Sequence, residues 1–404
     1  MRVMSLHPAL GKNNTKDSTS ARSGSNTTLQ AAATDNVQFS DRQQPRFGCR
    51  MFAYMNAQPQ PGQNRLLKNC LLTGHNSLRD QARLRPPQLE HDRVMSWEDL
   101  QGVPHSKDGW GISSYSGGSS QPSSQPWITK QSLDASEDPA YKQAVEHVLT
   151  PSDKAQLPHT LLGHVRAATA RGHQERAATT GQVSLENTHP FQYGVWTLMH
   201  NGSVSGEGMD KVRHEVNTRY AATLGQKPQG QTDSEASFHY ILGKLQERYP
   251  DQGAKKLKAG LPDVPPTELL DTFAGAVRDL IQGQQAGGKG DTTLVPLHKQ
   301  NASRLAGVTL SDESRTEASP ICNFVMTNGN TLMASAYGHK LFLGVRQDKK
   351  ATNGDLNSEV VLASEKMQPK GWFTPKLNWV EIPNAHCVML ERTPAGVKVT
   401  LRAL

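Results

Sequence analysis

The chain has no apolar run of the roughly twenty residues a membrane-spanning helix requires. Its first residues, MRVMSLHPAL, lack the sustained apolar core and small-residue cleavage site of a secretory signal. Four cysteines (Cys49, Cys70, Cys322 and Cys387) in 404 residues are too few for a disulfide framework, and their spacing fits no zinc motif. A reducing, cytoplasmic setting is the simpler expectation, with organelle targeting left open. Aromatic residues make up only 6%, and the basic excess, a net +7, is scattered along the chain. That argues against a nucleic-acid partner, which needs a basic stripe. No GxxxxGK[ST] loop occurs, GGKGDT around Lys289 lacks the spacing, and no GxGxxG follows a strand. No ATP- or dinucleotide-using domain is therefore expected.

Residues 1–48 are rich in Ser, Thr, Asn, Gln and Ala and poor in aromatic and β-branched aliphatic residues. Such a leader cannot bury enough apolar surface to offset its ordering entropy, so disorder is expected. CRMFAYM (from Cys49) reads as a strand buried on both faces, because Met51, Ala53 and Met55 alternate with Phe52 and Tyr54. HTLLGHVRAAT (159–169) and YGVWTLMHNG (193–202) read as further strands, and Ser113–Gln125 as a loop tip. DSEASFHYILGKLQERYP has helical period, with Asp233 or Ser234 as cap and Pro250 as stop. PPTELLDTFAGAVRDLIQGQ repeats that pattern. CNFVMTNGNTLMASAYG predicts a hairpin with a type I′ turn at Asn328-Gly329, and strands follow to the end. Strands, then helices, then strands favour an α+β fold with sheets inside and helices outside.

Several residue groups could carry chemistry. A cysteine is nucleophilic only as thiolate and needs a base. If Cys49 were the first residue, its own α-amine, with pKa near 8, could take the thiol proton. Arg166, at a strand end, is shaped for a bidentate grip on a carboxylate. Asp233, at a helix start, could hold an ammonium. Asn201 and Gly202 could direct a side-chain amide and a backbone N–H at one oxygen. His164, His189 and His200 lack metal-ligand spacing, and Trp110 and Trp196 read as packing residues. SEKM (from Ser364) reads as sheet-forming.

In their order and separation, Cys49, PHSKDGWGI, HVRAAT, ENTHPF, LMHNG and TDSEA resemble the class-II glutamine amidotransferases. These belong to the N-terminal-nucleophile (Ntn) hydrolases, and the likeness is to their stand-alone single-domain branch. The resemblance implies a four-layer αββα sandwich over residues 49–404, with insertions near 113–126, 205–232 and 284–320. It implies an enzyme that cleaves the γ-amide of glutamine or of a γ-glutamyl compound through a cysteine thioester. Cys49 would be the nucleophile, Asn201 and Gly202 the oxyanion donors. Arg166, Thr169, His200 and Asp233 would bind the substrate. No metal or cofactor is implied. Ammonia would go to a partner protein or to water. The sequence departs from the family in placing Gly48, and the 48-residue leader, before the cysteine. The alternative is a non-catalytic glutamine- or γ-glutamyl-binding subunit that keeps its leader.

Overall fold

The computed structural model describes residues 2–3, 48–59, 64–82, 106–117, 125–151, 157–168, 182–285, 321–346, 359–371 and 376–404. Fourteen strands are present among them: β1 (Arg2–Val3), β2 (Arg50–Asn56), β3 (Trp110–Ser116), β4 (Trp127–Gln131), β5 (Pro158–Val165), β6 (Phe191–Tyr193), β7 (Trp196–Ser203), β8 (Ile321–Thr327), β9 (Thr331–Ala336), β10 (Phe342–Arg346), β11 (Glu359–Ala363), β12 (Leu377–Glu381), β13 (His386–Thr393) and β14 (Gly396–Ala403). They form two seven-stranded sheets, ordered β1-β14-β13-β9-β8-β7-β6 and β12-β10-β11-β2-β5-β3-β4, with antiparallel pairing throughout. The α-helices are α1 (Asn64–Lys68), α2 (Leu78–Ala82), α3 (Pro139–Leu149), α4 (Glu207–Glu215), α5 (Ala221–Leu224), α6 (Asp233–Arg248), α7 (Gly253–Lys258) and α8 (Pro266–Gln285).

The period-two pattern of β2 decides how the layers stack. Met51, Ala53 and Met55 point into a core shared by the two sheets, with Met199, Val325, Leu332, Val360, Leu362, Val388 and Leu390. Phe52 and Tyr54 point the other way, onto Leu66, Leu67, Leu71, Tyr141 and Val145 of the α1–α3 side. The outer face of the other sheet carries Trp196, Leu198, Phe324, Met326 and Met389 and is covered by α4–α8 through Phe238, Ile241, Leu245, Leu270, Phe273 and Val277. The central strands of both sheets thus bury both faces, while the edge strands β4 and β12 stay partly exposed, and the architecture is the expected four-layer αββα sandwich.

Several local expectations change. The loop assigned from Ser113 starts later, because Ser113–Ser116 complete β3 and pair with β5. The stretch 205–232, read as an insertion, is largely helical. It contains α4, a π-helical turn (Val216–Tyr220) and α5, whose Met209, Val212, Tyr220 and Leu224 join the helical core. The cap of α6 is Thr232, which accepts from the Glu235 N–H; Asp233 is already inside the first turn. The β8–β9 hairpin forms, but Gly329 alone in the turn has positive φ (+94°), so the turn is not type I′, which needs two such residues. Within the leader, Arg2–Val3 pair with β14. The rest of the disorder expected over residues 1–47, and residues 286–320, lie outside the described residues.

Candidate active site

Cys49 sits immediately before β2, where Arg166 and Ala167 follow the end of the neighbouring β5. The Ala167 N–H donates to Sγ at 3.4 Å, and the thiol points back at the Ala167 carbonyl at 3.7 Å. Burial pushes the thiol pKa up; the Ala167 N–H, Arg166 and Arg50 pull it back, and Asp233 pushes it further up. The net direction is up, so with Gly48 attached this is a thiol and not a thiolate. Among the described residues both Sγ partners are backbone groups, so no described side chain serves it as base.

The residue before it is tightly placed. The Gly48 carbonyl accepts from Arg50 Nη1 (2.9 Å) and Ser106 Oγ (3.0 Å). Gly48 has φ +147°, and a Cβ there would lie 3.0 Å from Asn201 Oδ1. Any other residue would be strained and crowded against that amide.

Arg166 is held by its backbone and left open at its tip. Its N–H donates to the Gly109 carbonyl (2.7 Å), and its carbonyl accepts from the Asp108 N–H (3.0 Å). The residue is 3% exposed, yet Nη1 has no hydrogen-bond partner among the described residues. Burial lowers the guanidinium pKa, while Cys49, Asp108 and Asp233 oppose that shift. A buried charged donor left unpaired is costly, so an anion from outside is the natural partner.

β7 brings the oxyanion candidates. Asn201 is 3% exposed, donates weakly to Ser364 Oγ (3.4 Å) across the sheets, and leaves Oδ1 unpartnered among the described residues. Gly202 stands opposite Cys322 of β8. Cys322 directs its N–H to Tyr337 and its carbonyl to Ser335, both on the β9 side. Gly202 therefore makes a non-hydrogen-bonded pair, and its N–H points away from β8, past the end of β6. A Cβ on Gly202 would collide with the Ile321 carbonyl, so only glycine fits.

Asp233 and His200 depart from their expected surroundings. Asp233 Oδ2 accepts from the Val204 N–H at 2.7 Å, which ties the start of α6 to the end of β7. His200, expected to bind substrate, is 1% exposed with both ring nitrogens engaged. Nε2 donates to the Ile321 carbonyl (3.0 Å), Nδ1 accepts from Ser234 Oγ (3.0 Å), and the ring stacks on Phe324. It has no donor left for a ligand and acts as a brace between β7, β8 and α6. Thr169 lies outside the described residues. Ser364 and Glu365, read from the sequence as sheet-forming, instead follow the end of β11 and line a cavity with Asn201 and Arg50. A polar pair just past a strand end was the available signal.

Behind this cluster lie buried histidines. His164 donates from Nε2 to the His200 carbonyl (3.2 Å) and stacks on His189, which meets the edge of Phe191. Burial lowers the pKa of His159 and His164 to about 3 and of His239 to about 4. Folded pKa values below the unfolded value of about 6.5 mean that the unfolded chain binds more protons in this window. Stability is therefore complete above about pH 6.5 and falls as the pH drops towards 3. Thermal melts between pH 7 and 4 should show a steadily falling Tm; a flat Tm would contradict the neutral burial of these rings. Among the described residues no group of three or more His, Cys, Asp or Glu is placed to hold a metal. Nor is any helix there long and apolar enough to cross a membrane.

Comparison with known proteins finds one recurrent description among similar chains. The family model for class-II glutamine amidotransferases matches residues 90–267, a span that holds Arg166, Asn201, Gly202 and Asp233 and leaves Cys49 outside. The chain is 30% identical over 151 residues to YafJ of Escherichia coli (strain K12), a protein designated a glutamine amidotransferase, covering 36% of this chain and 46% of that one. It is 26% identical over 191 residues to DUG3 of Saccharomyces cerevisiae, likewise so designated, covering 47% of this chain and 44% of that one. The chain thus spans less than half the length of the curated relatives it matches. A class-II glutamine aminotransferase domain protein from Silicibacter pomeroyi superposes with a TM-score of 0.43 at 14% identity, over 88% of this chain and 99% of that one. Residues 90–267 of this chain are thus similar to the class-II glutamine amidotransferases.

Proposed function

We propose that this protein hydrolyses the γ-amide bond of glutamine or of a γ-glutamyl compound, with Cys49 attacking once its α-amine is free. What carries the reading is the buried Arg166 guanidinium, unpaired at Nη1 among the described residues and set beside the strand end that holds the Cys49 sulfur. The substrate α-carboxylate would complete Arg166, and Asp233 would take the α-ammonium, with Thr169 adding a hydrogen bond to the carboxylate. The γ-carbonyl carbon would then meet Sγ, and its oxygen would lie between the Asn201 amide and the Gly202 N–H.

The chemistry follows from these placements. The α-amine of a terminal Cys49 takes the thiol proton as the sulfur–carbon bond forms. Negative charge gathers on the carbonyl oxygen, where each donor is worth about 3 kcal/mol. The carbon–nitrogen bond breaks, and the departing amine or ammonia takes the proton held on the Cys49 nitrogen. Water then hydrolyses the γ-glutamyl thioester. Ammonia goes to water or to an accepting partner protein.

In the chain with Gly48 attached, the Cys49 nitrogen is an amide and has no basicity. That form would hold ligand through Arg166 and Asp233 without turnover. The test pairs the N-terminal mass of the purified protein with hydroxylamine trapping during glutamine hydrolysis. Protein that starts at Cys49 should release ammonia and yield γ-glutamyl hydroxamate. Full-rate hydrolysis by protein that retains residue 48 would defeat the amine-as-base mechanism.

A further inference from the structure

β4 ends one sheet and β6 ends the other. The two strands meet around a cavity of about 300 Å³. Lys130 stands on its β4 wall, Phe191 and Gln192 on its β6 wall, and Gln229 and Glu235 close it from the segment that enters α6. Cys49, Arg166, Asn201, Gly202 and Asp233 take no part in its lining.

The wall is tied in place. Glu235, 5% exposed, accepts from the Gln229 N–H (2.9 Å) and the Gly230 N–H (2.6 Å). Asn187 Oδ1 accepts from the Gln231 N–H at 2.8 Å. A cavity fixed in this way costs a ligand little ordering of the protein.

Lys130 is the group left incomplete. An ammonium carries three donors. Among the described residues Nζ donates to the Thr188 carbonyl alone (2.8 Å), with the Phe191 ring centre 5.6 Å away. Burial lowers its pKa, while Glu235 and then Glu186 oppose that shift through space, without a hydrogen bond to it among the described residues. Glu186 also lines the cavity and is exposed. Its own N–H and the Ser184 hydroxyl hold its carboxyl below the usual range, so it is ionised at neutral pH. The cavity thus sets a partly buried cation against an ionised carboxylate on its open side.

We infer that this cavity binds a free α-amino acid, the Lys130 ammonium taking its carboxylate and Glu186 its ammonium. The charges decide the class. A phosphate or other dianion would meet both Glu235 and Glu186, and a simple amine would meet Lys130. A small zwitterion satisfies the two ends together, since a buried charge is stable only when paired. The carboxamides of Gln192, Gln226 and Gln229 can donate or accept towards its side chain, which would rest on Phe191. This place is separate from the proposed catalytic cluster, and the inference does not depend on the hydrolytic reading.

Wild-type protein and Arg166→Met are each screened by thermal shift against every standard L-amino acid at millimolar concentration, and binding is quantified by calorimetry. Arg166→Met disables the proposed glutamyl clamp, so an amino acid that binds both proteins alike is expected. Its carboxamide and its N-acetyl derivative should bind more weakly, the carboxamide by about thirtyfold, the scale of losing one partner of a buried charge pair. Lys130→Met should cost about thirtyfold as well, and Lys130→Arg should keep most of the affinity. Glu186→Gln, at an exposed position that leaves the fold intact, should cost about threefold. Three results overturn the inference: no standard amino acid binds the wild type, the carboxamide binds as well as the acid, or binding is lost in Arg166→Met and kept in Lys130→Met. Binding that follows Lys130 in a protein without glutamine turnover supports this cavity and defeats only the hydrolytic reading.

Discussion

Replacing Cys49 with Ser should lower glutamine hydrolysis by roughly four orders of magnitude or more, the scale seen when a nucleophile is removed from a unit of interacting catalytic groups. The fold should survive, because the change is near-isosteric and the hydrogen bonds of Sγ among the described residues go to the Ala167 backbone. Tm and glutamine binding should stay close to wild type while ammonia release disappears. The wild-type rate should also rise with pH and level off near pH 8, where an α-amine loses its proton. This rise is opposite in origin to the acid loss of stability from the buried histidines, which is complete well below that range. Retention of activity in Cys49→Ser, or a rate that falls as the pH rises through 8, would remove the terminal cysteine from the mechanism.

Arg166→Met should lower kcat/KM for glutamine by two to three orders of magnitude, about 3–4 kcal/mol, the cost of removing one partner from a buried ion pair. The loss should appear mainly in KM, because the guanidinium grips a part of the substrate that does not change charge during the reaction. Arg166→Lys keeps the charge but not the planar fork and should fall between the two. Stability tests the other side of the argument. Nη1 is unpartnered among the described residues, so Arg166→Met should cost the ligand-free protein little and should lose only the extra stability that bound glutamine confers. An unchanged KM in Arg166→Met would show that the carboxylate is held elsewhere.

The middle layers were legible because a strand buried on both faces leaves a plain trace. The alternation of Met51, Ala53 and Met55 with Phe52 and Tyr54 requires apolar partners on both sides, and the two cores supply them. The long helices α6 and α8 were legible from their period and their proline boundaries. The short elements α1, α2 and β4 were not, since five residues carry too little pattern to stand out. α3 could have been found: Asp138 caps it, Pro139 opens it, and Tyr141, Ala144, Val145, Val148 and Leu149 follow at helical spacing.

The sites divide in the same way. Residue types and motif order are local properties, and they sufficed to nominate Cys49, Arg166, Asn201, Gly202 and Asp233. Whether a nominated side chain is free to act depends on partners far away in the chain. His200 looked like a ligand-binding residue until Ser234 and Ile321 were seen to occupy both its nitrogens. Ser364 and Glu365 looked structural until β11 paired with β2 and set them beside the cysteine. Composition and periodicity settled which segments must be buried, because burial is a property each residue carries with it. Strand order alone settled what lies on either side of the sulfur, because β2 meets β5 and β11 across more than a hundred and about three hundred intervening positions, which no local pattern encodes.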